Sequence, residues 1–201
     1  MQKSLLAELV EHNLAYQSVR RRSITRDRLD CHALCEIGDE CLQESLLDHV
    51  GQLPVTAVFL HPRIEHSLEI ALPRVLHMLA IHDIGELVTG DLHPHHKNES
   101  NQREEYEAAQ QMLDQGSHPM LEEYEAQQTL DARYAKSVDV LAGFVHDLSL
   151  PSEVTRRRIA HHAFTAEDIF ERRKAVFAWD AILFELFEEV HQYYRKLEQL
   201  G

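Results

Sequence analysis

The sequence predicts an all-α domain, and three observations lead there. Apolar residues recur three and four positions apart along most of the chain, and few segments alternate apolar with polar. Glycine and proline are sparse, 7 and 6 in 201 residues, as long helices require. The length suits a single domain, 1-201, with a core that needs no staple. Against 34 Asp and Glu stand 20 Lys and Arg, a formal net charge of −14. Such a surface repels phosphate backbones and argues against a nucleic-acid polymer as partner, so an anionic substrate must be met by a local basic cluster or a metal. Cys31, Cys35 and Cys41 form no disulfide framework, and no signal segment is visible at the N-terminus. No apolar run nears the roughly 20 residues of a membrane span. A cytoplasmic protein without a membrane partner is expected.

Taken in order, Leu5, Leu6, Leu9, Val10 and Leu14 form the stripe of a first helix ending near Tyr16. A basic island follows, with Arg20, Arg21 and Arg22, then Arg26 and Arg28. It is either a solvated linker or a phosphate clamp, since guanidinium offers phosphate a planar fork. Leu34, Ile37, Cys41, Leu42, Leu46 and Leu47 predict a second helix from Leu29 to about Val50, with His32 in its first turn. Cys31 and Cys35 share a face of it, but no second Cys pair completes a zinc site. Val55 to Leu60, partly β-branched, reads as a strand or an extended loop, and Arg63 to Leu72 as another helical turn.

After the stretch from Arg74 to Asp91, His93, His95 and His96 surround Pro94 in a polar loop of lid type. Gln102 to Gln115 predicts a helix with an acidic face, ended by Gly116, and Leu121 to Gln128 a short one. Asp131 to Leu148 is a longer helix turning Tyr134, Val138, Leu141, Ala142 and Val145 inward, with Asp139 set between two valines as a candidate buried ligand. Pro151 starts a helix through His161 and His162, whose Arg156, Arg157 and Arg158 read as a solvated face. The last helix, Ile169 to Leu200, carries an aromatic and aliphatic stripe that closes the core or forms an oligomer contact.

The chemistry concentrates in the stretch passed over, RVLHMLAIHDIGELVTGD. Val75, Leu76, Met78, Leu79 and Ile81 make it a buried helix entered at Pro73. His82, Asp83, Glu86 and Asp91 put one imidazole and three carboxylates within ten residues. Burying so many ionisable groups is costly unless a metal or a partner charge compensates them. On an ideal helix His82 and Asp83 stand about 100° apart, so a metal shared by both nestles against it and takes further ligands from other helices.

His82-Asp83, with Asp139 in AKSVDVLAGF, resembles the HD-domain metal-dependent phosphohydrolase superfamily. IHDIGELVTGDL followed by the acidic QREEYEAAQQML looks most like its 5′-nucleotidases acting on deoxyribonucleoside monophosphates, a likeness that covers residues 73–145. The resemblance implies an HD-domain helical bundle and a divalent metal, Mn, Co, Zn or Fe with Mg also admitted. The metal is held by an earlier His, His82, Asp83 and Asp139. It further implies catalytic or substrate-binding roles for Glu86 and Asp91, and a phosphate contact from Arg20, Arg21 or Arg22. A small nucleotide is the implied substrate, and the long terminal helix suggests a homodimer.

Two residues compete for the earlier His. The family places it in a motif like AEHS, some 35 residues upstream of the HD pair. Here IEHS gives His66, only 16 residues before His82 and across Pro73, about four helical turns to share between an antiparallel pair. His32 lies 50 residues before, opens a helix after an Arg-rich segment as the family shows, and implies an insertion at about 51-72. His32 is the expected ligand. The same ligand set also serves nucleoside triphosphate hydrolases and iron oxygenases with two metals, for which His93, His95 and His96 would supply further ligands, and an inactive HD scaffold is the non-enzymatic alternative.

Overall fold

The computed structural model describes residues 15–24, 43–91, 98–161 and 164–199. Strands β1 (Arg20–Ile24) and β2 (Gln43–Ser45) pair antiparallel, with Arg20 opposite Ser45 and Ile24 opposite Gln43. Nine α-helices then follow among the described residues: α1 (Leu46–Leu60), α2 (Leu72–Ile81), α3 (Glu86–Thr89), α4 (Glu99–Met112), α5 (His118–Ala126), α6 (Leu130–Ser149), α7 (Ser152–His161), α8 (Ala166–Phe177) and α9 (Ala181–Gln199). The all-α expectation holds. The two-stranded pair at the Arg-rich segment is the addition, and none of the described helices is long and apolar enough to cross a membrane.

Helix α1 replaces the strand or extended loop expected over Val55 to Leu60. Ser45 caps it, its hydroxyl accepting from the Asp48 backbone N–H while the Asp48 carboxylate accepts from the Ser45 backbone. Leu46, His49, Leu53, Ala57 and Leu60 are buried at helical spacing, whereas Val55, Val58 and Phe59 point outward. That burial outweighs both the β-branched residues and Pro54 inside the helix. The helix anticipated from Leu29 therefore has a boundary at Ser45, with a strand before it; its earlier part lies outside the described residues.

The helix expected to carry the HD pair stops at Ile81. From there the backbone tightens into i→i+3 hydrogen bonds, Ile84 N–H to Ile81 O, Glu86 N–H to Asp83 O and Leu87 N–H to Ile84 O, before α3 resumes. Gly85 is required in this turn. A Cβ there would meet the Glu105 carbonyl oxygen at 2.2 Å, so only glycine lets α3 lie so close to α4.

The main core joins α1, α2, α5, α6, α8 and α9 through Leu53, Met78, Leu79, Tyr134, Val138, Phe177, Phe187 and Tyr194. Tyr16, Leu46, Ile81, Ile84, Ala109 and Leu121 form a second cluster. The long terminal helix is in fact two. Asp180, buried in the break, accepts from the backbone N–H of Ile182 and Leu183 with one oxygen and from that of Glu65 with the other, capping α9. Arg158 is not part of a solvated face: it pairs with buried Asp147, which also accepts from the Tyr194 hydroxyl.

Candidate metal centre

Helices α1 and α6 and the turn after α2 bring four side chains together. His49 Nε2 lies 3.1 Å from Asp139 Oδ1 and 3.5 Å from Asp83 Oδ2. His82 Nε2 lies 3.1 Å from Asp83 Oδ1 and 3.6 Å from Asp139 Oδ1. Ligand atoms of His49, His82 and Asp139 all fall within 4.8 Å of one another. His82 Nδ1 donates to the Leu79 carbonyl at 3.1 Å, which turns Nε2 towards the carboxylates. His82 Nε2 is buried and makes no well-aligned hydrogen bond, facing only the Asp83 and Asp139 carboxylates. Two imidazoles and two carboxylates, buried and converging with a ring nitrogen that makes no aligned hydrogen bond, are the donor set of a divalent metal site, so His49, His82, Asp83 and Asp139 fit the implied metal.

Outer contacts hold these ligands in place. His49 Nδ1 faces Glu44 Oε1 at 3.7 Å, and Glu44, fully buried, is 3.1 Å from His146 Nδ1. Asp139 Oδ2 accepts from the Tyr124 hydroxyl at 3.0 Å and the Lys136 ammonium at 2.8 Å. Tyr124 also packs its ring 5.0 Å from that of His82. From β1, Arg21 Nη1 donates to Asp83 Oδ2 at 2.6 Å and to Glu86 Oε2 at 3.4 Å.

The charges follow from these contacts. Burial opposes ionisation of Asp83, but His82 and Arg21 outweigh it and hold the carboxyl well below its usual range. Asp139 is likewise held down against burial, by Lys136, His49 and His82. Burial disfavours the His82 imidazolium, yet Asp83 and Asp139 push its pKa up to about 10. His49 moves the other way, lowered by burial and by Arg21. Burial and the nearby Asp139 raise the Tyr124 phenol well above its ordinary value, so it stays a donor.

The centre opens into a cavity of about 560 Å³. Glu86 and Asp91 line it beside the four ligands, with Val140, Phe144, Ile159 and Phe164 among its apolar walls. Of the residues expected from sequence, His82, Asp83, Asp139, Glu86, Asp91 and Arg21 meet here. Arg20 lies half-buried on the same strand; the Arg22 side chain and His32 fall outside the described residues, as do His93, His95 and His96. His66 is elsewhere, bonded to Glu69 at 2.9 Å and stacked on Trp179. Sequence reasoning missed His49 and Glu44. His49 stands 33 residues before His82, near the separation expected of the family's first ligand, and that spacing was the signal that could have found it.

A family model described as HD domain matches residues 38–181, and the chain belongs to that family. No curated protein matches it. Among solved structures it is similar to a predicted metal-dependent phosphohydrolase from Magnetospirillum magnetotacticum MS-1, 20% identical, with a TM-score of 0.74 over 96% of this chain and 94% of that one. A conserved hypothetical protein from Pyrococcus furiosus is 21% identical, with a TM-score of 0.55 over 91% of this chain and 99% of that one. At these identities the likeness is one of fold.

Proposed function

We propose that the protein is a metal-dependent phosphohydrolase that cleaves phosphomonoesters, with nucleoside and deoxynucleoside 5′-monophosphates as the substrate class. The observation that carries this is the convergence of His49, His82, Asp83 and Asp139, buried and lining the cavity. Two imidazoles and two carboxylates suit Mn, Co, Zn or Fe and leave coordination positions for water and substrate. Such a cation supplies a Lewis acid and a water of lowered pKa. The description of the Magnetospirillum protein as a predicted metal-dependent phosphohydrolase supports the same reading.

The chain's own groups divide the remaining work. Glu86, buried beside Asp83, orients the attacking water and takes its proton. The water oxygen bonds to phosphorus as the ester P–O bond breaks, and the proton taken by Glu86 passes to the departing oxygen, which leaves as an alcohol. Arg21 supplies fixed positive charge to the phosphoryl oxygens. Asp91 accepts from a sugar hydroxyl, and the apolar cavity wall receives the base.

The test is phosphate release from a panel of nucleoside and deoxynucleoside mono- and triphosphates with Mn, Co, Zn, Fe or Mg, running Asp139→Ala alongside. Release from monophosphates, lost in Asp139→Ala, is expected. Triphosphate as the sole product would assign the substrate to nucleoside triphosphates instead. Oxygen uptake with iron, or no turnover under any condition, would overturn the hydrolase reading.

A further inference from the structure

Beside the four-ligand centre lies a second group of carboxylates. Asp83, Glu86 and Glu105 place ligand atoms within 4.8 Å of one another, and Asp83 belongs to both groups. A carboxylate shared between two groups of ligands is the arrangement by which two adjacent cations are bridged. The neighbouring position, however, already holds a cation of the chain. Arg21 Nη1 bridges Asp83 and Glu86 at 2.6 and 3.4 Å, and Arg21 Nε lies 3.6 Å from Glu44.

We propose that Arg21 is a resident substitute for a second metal ion, restricting the centre to one ion. The inference rests on the metal-centre reading above and deepens it, since the same guanidinium then gives the phosphoryl group the positive charge a second ion would have given. Charge balance supports it. Glu44, Asp83, Glu86 and Asp139 are four carboxylates with side chains no more than 11% exposed. Arg21, Lys136 and one divalent ion together neutralise them. Glu105, the half-buried ligand that a second ion would add, makes five carboxylates: beside Arg21 a second divalent ion then leaves one positive charge in surplus, whereas without Arg21 the two ions and Lys136 balance all five.

The fold keeps Arg21 in this position. Strand β1 pairs with β2, which carries Glu44, and the Leu46 N–H bonds the Val19 carbonyl at 3.0 Å, so the guanidinium arrives on anchored backbone. Opposite it, the tight passage at Gly85 brings α4 and Glu105 against the turn bearing Asp83 and Glu86. Burial works against the charge on Arg21, but Asp83, Glu86 and Asp91 raise its pKa, so it remains a permanent cation.

The experiment is Mn(II) binding to the full chain by equilibrium dialysis with metal analysis, together with the EPR spectrum of the loaded protein. The native chain is expected to take one equivalent and give an isolated-ion signal. Arg21→Gln should take two, with spin coupling between them, and Arg21→Gln/Glu105→Gln should return to one. Two equivalents in the native chain would overturn the proposal whether or not a variant folds. One uncoupled equivalent in a folded Arg21→Gln would overturn it as well. No binding by the native chain would instead strike down the metal-centre reading and the proposal with it.

Discussion

His49 and Glu44 are where single residues decide most. His49→Ala should lower metal affinity and turnover together, by at least the 10- to 100-fold that removing even an outer partner of a metal ligand costs. Glu44→Gln, which leaves the four ligands intact, should cost about that factor itself through the His49 ring it faces. His66→Ala should leave both unchanged; metal dialysis and phosphate release check all three. His82 makes the affinity pH-dependent. With a folded-state pKa of about 10, its imidazolium stabilises the metal-free fold fully below the unfolded value near 6.5, and that stabilisation fades as pH rises through about 10. Metal needs the neutral ring, so binding near pH 7 should release a proton and tighten as pH rises towards 10. Calorimetry in buffers of different ionisation enthalpy reads the released proton. His82, Asp83 and Asp139 were legible in the sequence because a His-Asp pair after an apolar run and a carboxylate between two valines each advertise buried charge. His49, inside LLDHVG, has no such local sign, and only its distance from His82 marks it.

Among the elements, the turn between α2 and α3 sets the geometry of the site. Gly85→Ala places a Cβ 2.2 Å from the Glu105 carbonyl, so α4 must move away from Asp83 and Glu86. Turnover should fall while the far-ultraviolet circular dichroism stays helical, because the main core does not pass through this contact. Residues 55–60 show what local pattern could not resolve. Their β-branched run argues for a strand, and only the partners at Leu53, Ala57 and Leu60, buried from elements far along the chain, make the helix win. The break at Asp180 escaped for a related reason: Ile169 to Leu200 keeps helical spacing throughout, and the cap depends on Glu65, distant in sequence. Asp180→Ala should destabilise the fold by about 2 kcal/mol, the upper range for a lost helix cap, measured by urea unfolding.

At the scale of the whole molecule, a chain with a net charge of −14 draws several carboxylates into its interior and balances them with a few cations. Asp147 is one such group, tying α6 to α7 through Arg158 and to α9 through Tyr194. Burial raises its pKa despite Arg158, so its ionisation weakens the fold as pH rises from the unfolded carboxylate value towards the raised one. Arg158→Met should lower the melting temperature, corresponding to about 3–5 kcal/mol for a buried charge left without its partner, and less at acid pH, where Asp147 is protonated. The metal centre follows the same logic with an ion in place of a side chain. The anomalous difference map of a crystal soaked in Mn(II), collected at the manganese edge, tests it most directly. One peak bounded by His49 Nε2, His82 Nε2, Asp83 and Asp139 is expected. A crystal with no peak there, or with its peak elsewhere, would contradict it.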